Sequence, residues 1–547
     1  MMEMFNSFPN GYKKGKTKFI VVTGSVMSGV GKGTFNSGLA NLLMFYGFRV
    51  SMIKFDGYLN VDAGTLNPYR HGEVFVLKDG TETDLDLGTY ERALHRHLDK
   101  DNYLTGGKIF KMIVDKERKG EYLGRDVQFI PHVTGEIKHF IRKLAIKDSP
   151  DVLIIEVGGT IGDLENSYFI EAMRELRYEE GRENVLFINL AYIINTAQEQ
   201  KSKAAQLGVN KLMSLGIMPD VVICRGKEEA IDSIKEKISL VANIPASHVF
   251  SFPNLKSIYH ASLYFKEQKL DEIIMEAFNF KPRKTHEFYN KWLKFISGIN
   301  NPKKEVHIGI TGKYTNITDS YLSIKNALEH AGAYFNASVK ISWIETSELE
   351  KEGEVAQKLK GIDGIIVPGG FGSRGTEGKI ACVKYAREHN IPFLGICYGM
   401  QLGVIEFARN VCDCKDANST EINFKTPHPV VSLLSEQKNI KEMGASMRLG
   451  EHPTIVKQNT LAYKIYKKPK IGERFRHRYE VNTGYISRLE EKGLVFSGIS
   501  ADNKEIMQIM ELPKNKFHLG TQFHPELTSK PLMPSPIFVE FVRSCLN

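Results

Sequence analysis

The chain is 547 residues long, with 42% hydrophobic residues, 25% charged residues and a formal net charge of +9. This length exceeds what one hydrophobic core supports, so we expect two large domains, with three smaller ones as the alternative. The ordinary composition excludes a disordered protein. No apolar run approaches the ~20 residues of a membrane helix, and the N-terminal stretch lacks the apolar centre of a secretory signal. We therefore expect a cytoplasmic protein that does not associate with membranes.

The basic residues and the cysteines are both scattered along the chain. Lysines and arginines form no cluster interleaved with aromatic residues, which disfavours nucleic acid as a partner. Anionic small molecules such as nucleotides suit the positive charge better, and a well-solvated surface is the plain alternative. The six cysteines are sparse and irregularly spaced, which favours reduced thiols over a disulfide framework.

The N-terminal half alternates short apolar runs with helical stretches. The run Lys18–Gly24 predicts a strand, which a Gly/Ser-rich turn connects to a helical stretch from Thr34 to Gly47. Further apolar runs of strand length lie at Val50–Phe55, Val152–Val157, Val185–Leu190 and Val221–Cys224. Such alternation predicts a mainly parallel sheet covered by helices.

The composition changes between Lys281 and Lys304, where basic residues become frequent and two prolines occur. This change predicts a linker. Beyond it, Val306–Thr311, Gly364–Pro368 and Pro392–Ile396 predict buried strands of a second α/β sheet, since helical stretches separate them. The whole chain is therefore predicted to be an α/β protein with an N-terminal extension (1–17), a first domain (18–280), a linker (281–304) and a second domain (305–547).

A Gly-rich turn after the first strand has the residues of a phosphate-binding loop. In the segment Gly24–Thr34, backbone amides and a helix N-terminus favour a phosphate, and Lys32 would meet its charge. The segment departs from the P-loop pattern, because Val26 occupies the first glycine position and Gly33 the Ser/Thr position. A phosphate loop is the favoured interpretation, and a flexible strand-to-helix turn stays open.

Charged side chains follow other predicted strands. Glu156 closes an apolar run, where a carboxylate must be paired, hydrogen-bonded or bound to a metal. Asp86 is a second candidate for the metal that phosphoryl transfer needs, with a solvated acidic loop as the alternative. Lys54 closes another strand, at the edge where α/β sheets bind ligands. A basic and amide cluster follows near residue 200, although single lysines more often lie on the surface: Lys201, Lys203 and Gln206.

A reactive thiol is predicted in the second domain. The strand ending at Ile396 runs into Gly395-Ile-Cys397-Tyr-Gly399, the cysteine counterpart of the nucleophile elbow. A helix N-terminus favours the thiolate, which is the reactive form of cysteine. A small buried cysteine at a strand end is the alternative.

The thiol needs a base, and the sequence offers one near its C-terminal end. His524 and Glu526 stand two residues apart in Gly520-Thr-Gln-Phe-His-Pro-Glu526. The glycine-rich stretch Gly369–Gly372 follows a predicted strand and supplies backbone amides suited to an oxyanion. Cys412-Asp-Cys414 is a conceivable metal pair, but no second Cys/His pair lies nearby at a zinc-like spacing.

Together these segments resemble the CTP synthase family, from about Lys18 to Glu526. The most specific matches are His71–Val76, Thr81–Gly88, Glu156–Asp163, Met447–Gly450 and Arg476–Asn482. The resemblance implies two doubly wound α/β domains, a P-loop-like nucleotide-binding amidoligase and a class I glutamine amidotransferase. It also implies that ATP phosphorylates O4 of the uracil ring of UTP and that ammonia from glutamine displaces the phosphate. The products would be CTP, ADP, phosphate and glutamate.

The resemblance implies roles for single residues. Cys397 would be the nucleophile, completed by His524 and Glu526, while Lys54 would assist phosphoryl transfer. Mg²⁺ would be held by Asp86 and Glu156. ATP would be bound by Ser28, Gly29, Val30, Gly31, Lys32, Gly33, Thr34 and Asp86. UTP and CTP would be bound by Ser28, Asp163, Leu164, Glu165, Lys201, Ser202, Lys203, Ala204, Ala205, Gln206 and Lys237. Glutamine would be bound by Gly370, Tyr398, Gly399, Met400, Gln401, Glu421 and Arg478.

Regulation and assembly follow from the same resemblance. GTP would activate near Arg374 and Arg448, CTP would inhibit by feedback, and His71 would guard the ammonia passage. The family also implies a homotetramer, with filaments as a further expectation. Three positions depart from the family: Gly57 replaces a usual proline, Tyr398 a usual leucine and Phe475 a common histidine. None removes a reacting group, but Tyr398 stands next to the reactive sulfur, where it can alter the affinity for glutamine.

Two other functions remain open at this stage. A different P-loop amidotransferase, acting on the carboxylate of a cofactor, would use the same two domain types, but the pyrimidine-site segments disfavour it. A nucleotide-binding structural protein that assembles without catalysis would not need both sets of catalytic groups. The N-terminal extension has no assignable role in the sequence.

Overall fold

The computed structural model describes residues 7–67, 71–283, 286–312, 318–347, 349, 352–433 and 447–547. The chain forms two compact units. The first contains the residues up to Ala63 together with Thr89–Lys291, and the second contains Gly64–Gly88 together with Trp292–Asn547. The segment Gly64–Gly88 therefore belongs to the second unit, although both of its neighbours in sequence belong to the first.

The first unit is built on a seven-stranded sheet in which every neighbouring pair of strands is parallel. All five strands that the apolar runs predicted are present, and the sequence missed the two short strands at the edges. Burial on both faces explains why the central strands read as continuous apolar runs. The strand order is Val249–Phe252, Val221–Arg225, Val185–Tyr192, Lys18–Ser25, Val152–Val157, Val50–Asp56 and Tyr103–Thr105.

Helices cover both faces of this sheet, as the alternation predicted. The cluster around Phe19, Ile53 and Leu153 packs on one face, and a second cluster around Val222 and Ile234 packs elsewhere on the sheet. The helices in this part of the chain are Lys32–Phe45, Leu85–Leu94, Gly106–Arg118, Thr134–Asp148, Ser167–Glu180, Lys203–Ser214, Asp232–Ala242, Ala261–Glu267, Leu270–Phe278 and Glu287–Asn300.

The last of these helices lies inside the predicted linker. Glu287–Asn300 buries Trp292, Phe295 and Ile296, which is the i, i+3, i+4 spacing of an amphipathic helix. The domain and linker boundaries drawn from sequence remain predictions.

The second unit is built on a nine-stranded sheet. Its first five strands are parallel and its remaining strands are antiparallel. The three apolar runs predicted from sequence lie in the parallel part. The strand order is Ala337–Glu345, Lys304–Gly312, Gly364–Val367, Phe393–Ile396, His518–Thr521, Met507–Glu511, Val495–Ser500, Arg448–Val456 and Lys470–His477.

Helices and small sheets complete the second unit. Two large apolar clusters fill it, one around Val367 and Met400 and the other around Ile308 and Phe541. The helices are Leu322–Phe335, Glu352–Lys358, Thr376–Glu388, Tyr398–Asn410, Leu461–Tyr466, Ile486–Glu491 and Pro536–Leu546. A three-stranded sheet joins Ala417–Ser419, His428–Leu433 and Tyr479–Val481, and a hairpin pairs Phe75–Val76 with Glu82–Thr83. A further small hairpin in the first unit pairs Ile194–Asn195 with Gln200–Lys201.

The segment before the first strand is anchored to the first unit. The guanidinium of Arg142, which is 0% exposed, lies 3.8 Å from the ring centroid of Phe8 and 5.4 Å from that of Tyr12. Its Nη1 donates to Ser7 Oγ at 2.6 Å, and Tyr12 Oη donates to Glu180 at 2.9 Å. This part of the extension, to which the sequence assigned no role, therefore packs as part of the fold. No helix among the described residues is long and apolar enough to span a bilayer.

Candidate active sites

The predicted thiol lies on a sharp turn between a strand and a helix. Cys397 follows the strand Phe393–Ile396 and precedes the helix Tyr398–Asn410, with φ 52° and ψ −102°. This conformation is rare for a residue with a side chain and costs energy, as at other nucleophile elbows. Gly399 is required by close packing, because a Cβ there would lie 1.9 Å from the carbonyl oxygen of Val367. The local sequence therefore forces the chain to present Cys397 at the helix N-terminus.

His524 and Glu526 form a hydrogen-bonded pair beside this thiol. His524 Nδ1 lies 2.7 Å from Glu526 Oε1. A Cβ placed on Gly369 would lie 3.0 Å from His524 Cε1 and 3.7 Å from Cys397 Cβ, so the imidazole and the thiol flank the same glycine. Burial lowers the pKa of His524, but the Glu526 carboxylate and the Cys397 thiol outweigh burial and raise it to about 10. The imidazole is therefore protonated at neutral pH.

Two further groups contact the sulfur of Cys397, and both lie in segments noted in the sequence without a role assigned to these residues. Gln522 Nε2 donates to Cys397 Sγ at 3.5 Å, and the thiol donates to the carbonyl oxygen of Arg476 at 3.6 Å. Gln522 lies within the Gly520–Glu526 motif, so its position two residues before His524 was the available signal.

The thiol opens onto a cavity of about 660 Å³ that lies entirely within the second unit. Six of the residues predicted from sequence line it: Gly370, Cys397, Glu421, Arg478, His524 and Glu526. Glu421 and Arg478 bring one carboxylate and one guanidinium to this wall. The segment Gly64–Gly88 contributes Gly64, Thr65, Leu66, Glu73 and Val74 to the lining, and Arg476 and Tyr479 also take part. The cavity therefore brings a nucleophile and an imidazole together with charged side chains of both signs.

The other residues predicted to bind glutamine support this wall without lining the cavity. Tyr398 is 3% exposed and donates from Oη to the carbonyl oxygen of Gly372 at 2.8 Å. Gln401 Nε2 donates to the carbonyl oxygen of Tyr479 at 2.8 Å and to Gln522 Oε1 at 3.2 Å. Met400 packs in the apolar core with Gly399 beside it in the same helix. Their side chains therefore support the wall of the cavity.

The segment Gly64–Gly88 is held to the second unit by two arginines of the strand Lys470–His477. Arg474 is fully buried and donates from Nη1 to the carbonyl oxygen of Val76 at 3.0 Å. Arg476 Nε donates to Glu82 Oε1 at 2.8 Å. These long-range contacts explain why the segment belongs to this unit. His71 and Arg374 are exposed, and Arg448 donates to Ser500 Oγ at 3.1 Å; none of the three lines the cavity.

The predicted phosphate loop of the first unit has left-handed backbone at two of its glycines. Gly29 has φ 71° and Gly31 has φ 93°, and the helix begins at Lys32. Lys32 Nζ donates to the carbonyl oxygen of Gly159 at 2.7 Å. Ser28 and Gly29 are exposed, Val30 and Gly33 are buried, and Gly31 and Thr34 are half-buried. The loop thus places the amine of Lys32 at the carboxyl end of the central strands.

A cation that the sequence missed lies next to this loop. A Cβ on Gly31 would lie 3.2 Å from Arg225 Nε. Arg225 ends the strand Val221–Arg225 and donates to the carbonyl oxygen of Phe252 at 3.1 Å and to Asn254 Oδ1 at 2.7 Å. Burial lowers the pKa of Arg225. Only the strand order brings this arginine to the loop.

Glu156 lies at the same carboxyl edge of the sheet. It is 2% exposed and accepts hydrogen bonds from Asn36 Nδ2 at 2.6 Å and from Tyr90 Oη. The parallel register pairs Lys54 with Glu156, and Lys54 Nζ lies 3.8 Å from Asp56 Oδ1. Asp86, the other predicted metal ligand, belongs to the second unit, where its backbone amide donates to Asp84 Oδ1 at 2.9 Å. Within the described ranges, no three His, Cys, Asp or Glu side chains gather as a metal site, and this includes the Cys412 and Cys414 pair.

The residues predicted to bind pyrimidine nucleotides lie on two surface regions of the first unit. Asp163, Leu164 and Glu165 are exposed, and Asp163 Oδ2 accepts from the backbone amide of Thr160 at 2.8 Å. The second region lies around the helix Lys203–Ser214, where Gln206 Nε2 donates to Ser202 Oγ at 2.9 Å. Lys201, Lys203 and Lys237 are exposed there, Ser202 and Ala205 are buried, and Ala204 is half-buried. The hydrogen bond from Lys201, together with the charge of Lys237, lowers the pKa of Glu199.

Comparison with known proteins matches both halves of the chain. A family model described as CTP synthase N-terminus matches residues 18–280, and one for class-I glutamine amidotransferase matches residues 316–544. A CTP synthase of Thermococcus gammatolerans is 49% identical over 530 residues, which cover 96% of this chain and 98% of the relative. A CTP synthase of Archaeoglobus fulgidus is 47% identical over 531 residues, covering 97% and 98%. The solved glutaminase domain of a Trypanosoma brucei CTPS with bound acivicin is 38% identical, with a TM-score of 0.42 and coverage of 44% of this chain and 93% of that domain.

Proposed function

The chain belongs to the CTP synthase family, and from this premise we propose how its two units divide the reaction. The enzyme uses ATP to aminate UTP to CTP, with glutamine as the source of ammonia. The second unit releases ammonia from glutamine, and the first unit activates the uracil ring by phosphorylating O4. The alignment along nearly the whole length of CTP synthases disfavours an amidotransferase for another substrate.

In the second unit, Cys397 attacks the carboxamide carbon of glutamine as a thiolate. His524 is protonated at neutral pH and donates its proton to the departing ammonia. The imidazole then takes a proton from the water that hydrolyses the γ-glutamyl thioester, and Glu526 stabilises the imidazolium that forms. The 2.7 Å contact between His524 and Glu526 supports this assignment.

The walls of the cavity suit the charges of glutamine. Glu421 pairs with the α-ammonium group and Arg478 with the α-carboxylate, which leaves the carboxamide directed toward Cys397. The backbone amides of Gly370 and Tyr398 stabilise the oxyanion of the tetrahedral intermediate, because one belongs to the glycine-rich loop and the other follows the nucleophile.

In the first unit, the loop from Ser28 to Thr34 holds the phosphates of ATP, and Lys32 neutralises the charge on the transferred group. Lys54 assists the transfer at the same edge of the sheet. The exposed lysines Lys201, Lys203 and Lys237 bind the triphosphate of UTP, together with Ser28 and the 163–165 and 202–206 segments. CTP competes for these phosphate contacts, which makes it a feedback inhibitor.

The residues at this edge fit Mg²⁺. Glu156 supplies a buried carboxylate oxygen, and the Oδ1 atom of Asn36 beside it is buried without a hydrogen-bond partner among the described residues. Hard oxygen donors of this kind are the ligands that Mg²⁺ prefers. When bound, the ion neutralises charge on the phosphates of ATP.

Regulation and assembly belong to the same proposal. GTP activates ammonia release near Arg374 and Arg448, and His71 guards the ammonia passage. The enzyme is a homotetramer that can form filaments, and it works in the cytoplasm. These features are supported by membership of the family alone.

One observation carries the assignment of glutamine hydrolysis to the second unit: the side chains of Cys397 and His524 both lie next to Gly369. Cys397→Ala should abolish CTP formation from glutamine and spare CTP formation from added ammonia, measured by absorbance with UTP, ATP and Mg²⁺. Cys382→Ala is the matched control, because burial raises the pKa of that thiol to about 12. Glutamine-dependent synthesis by Cys397→Ala would contradict the proposal, and so would absence of the ¹⁵N label of [amide-¹⁵N]glutamine from the CTP formed by the wild type.

A further inference from the structure

The glycine-rich loop of the cavity is held at one residue, Gly372, through both its backbone amide and its carbonyl oxygen. The backbone amide of Gly372 donates to Glu421 Oε1 at 2.7 Å, and its carbonyl oxygen accepts from Tyr398 Oη at 2.8 Å. Thr376 Oγ1 lies 3.0 Å from Tyr398 Oη and 3.4 Å from the same carbonyl oxygen. Gly372 has φ 77°, a left-handed conformation that glycine adopts without strain. The far end of the Gly369–Gly372 loop is therefore fixed by side chains.

Tyr398 is the residue that connects this loop to the nucleophile. It follows Cys397 directly in the chain and begins the helix Tyr398–Asn410. A Cβ on Gly370 would lie 3.9 Å from Tyr398 Cδ1, so the ring packs along the loop. Its other neighbour is Lys379, whose Nζ lies 5.6 Å from the ring centroid. One side chain thus spans from the helix that presents the thiol to the loop that presents Gly370.

We propose that Tyr398 is a positioning residue for glutamine hydrolysis, whose hydroxyl holds the Gly369–Gly372 loop at the distance from Cys397 that oxyanion stabilisation requires. The inference rests on the proposed glutaminase role of Cys397 and adds a residue to it. Oxyanion donors must be fixed before the reaction, because a donor that reorganises during the reaction stabilises the transition state less. Burial raises the pKa of Tyr398, so the phenol remains a donor throughout the working range of pH.

A positioning role of Tyr398 and a purely structural role predict different changes in kinetics and stability when the hydroxyl is removed. The oxyanion exists only in the transition state and the tetrahedral intermediate, so loss of the hydroxyl should lower kcat while leaving KM for glutamine nearly unchanged. Loss of a merely structural contact would lower the melting temperature and reduce synthesis from ammonia as well. Ammonia-driven synthesis does not use the thiol, so it serves as an internal control.

The test compares Tyr398→Phe with wild type in glutamine hydrolysis, in CTP formation from ammonia and in thermal unfolding. We expect kcat for hydrolysis to fall about three- to tenfold, as for loss of one buried hydrogen bond, with KM changed by less than about twofold. Tyr485→Phe is the matched control, because Tyr485 is half-buried in the same unit and its hydroxyl contacts His428 at 3.4 Å, away from the cavity. It should behave as wild type.

Two results would overturn the proposal: a wild-type kcat in Tyr398→Phe, or an equal loss of hydrolysis and of ammonia-driven synthesis. If Tyr398→Phe does not fold, Thr376→Val tests the same contact, since it removes the second hydroxyl and leaves the tyrosine in place. We expect Thr376→Val to lower kcat by about twofold, and an unchanged kcat would count against a positioning role for these hydroxyl contacts. The variant Cys397→Ala tests the proposed function separately from the role of Tyr398. If Cys397→Ala still hydrolyses glutamine, the nucleophile itself is wrongly assigned.

Discussion

Gln522 donates a hydrogen bond to the sulfur of Cys397 at 3.5 Å, and the oxygen of the same amide accepts from Gln401 at 3.2 Å. The orientation of the Gln522 amide is thus set by Gln401, which keeps its donor directed at the thiol. The sulfur therefore has a fixed donor on one side and the helix N-terminus on the other. Both direct partial positive charge at the sulfur.

Replacing Gln522 with methionine should make Cys397 less reactive. The variant keeps the length of the side chain but removes the donor, and a hydrogen bond to a charged group contributes about 1.5–3 kcal/mol. We expect the rate of alkylation of Cys397 by iodoacetamide at pH 7 to fall about tenfold or more, measured by peptide mapping. Cys382 and Cys224 are internal references, because burial raises the pKa of each to about 12. An unchanged rate at Cys397 would contradict this role for Gln522.

Glu526→Gln should move the alkaline limit of glutamine hydrolysis toward neutral pH. Burial lowers the pKa of His524, and the Glu526 carboxylate is the largest of the effects that raise it to about 10. Without that charge, the imidazolium loses its proton at a lower pH. The profile of kcat/KM between pH 6 and 10 should therefore fall earlier in the variant, and the rate at pH 8 should fall at least about tenfold. Identical profiles would show that Glu526 does not set the charge of His524.

The same pair should make stability depend on pH. A histidine in an unfolded chain loses its proton near pH 6.5, whereas His524 in the fold keeps it to about pH 10. The stabilisation is therefore complete below about pH 6.5 and is lost as the pH rises toward 10, with a slope of at most about 1.4 kcal/mol per pH unit. The free energy of unfolding, measured by urea denaturation, should decrease less between pH 6.5 and pH 9.5 in His524→Asn than in wild type. Equal decreases would refute the assignment.

Arg142→Met should destabilise the first unit. Arg142 is 0% exposed and forms ion pairs with Glu179 at 2.7 Å and with Glu180 at 2.6 Å. Removing it leaves the buried carboxylate of Glu180 without a cation, which costs about 3–5 kcal/mol, and also releases Ser7 and Phe8. Thermal unfolding should show the loss, and limited proteolysis should cut the N-terminal extension faster. Arg118→Ala is the control, because its ion pair with Glu117 lies at the surface, and a loss as large in this variant would contradict the prediction.

Lys32→Met should impair CTP synthesis and spare glutamine hydrolysis, whereas Cys397→Ala should abolish glutamine hydrolysis and spare synthesis from ammonia. If Lys32 neutralises the transferred phosphoryl group, CTP formation should fall at least about a hundredfold with glutamine or with ammonia. Glutamine hydrolysis without nucleotides should be retained. Lys18→Met is the matched control, since Lys18 lies at the amino end of the strand Lys18–Ser25, away from the loop. Substantial CTP formation by Lys32→Met would exclude the assigned role.

Local patterns explain why much of the fold was predictable. Parallel strands buried on both faces read as unbroken apolar runs, so Val152–Val157 and Val185–Tyr192 were visible in the sequence. The antiparallel strands of the second sheet were less visible, because a strand such as Arg448–Val456 buries only Gly450, Thr454 and Val456 and carries no apolar run. The position of the segment Gly64–Gly88 was also missed, since contacts with the distant Arg474 and Arg476 decide it.

The reacting groups could be identified from local sequence alone. A glycine on each side of Cys397 makes the elbow a local property, and His524 with Glu526 is a short motif whose members contact each other directly. The groups that surround them became known only from the three-dimensional fold. Gln522 reaches the thiol, and Arg225 reaches the phosphate loop, through strand order and packing between residues far apart in the chain. Such contacts depend on the arrangement of whole strands, for which a single sequence holds no local signal.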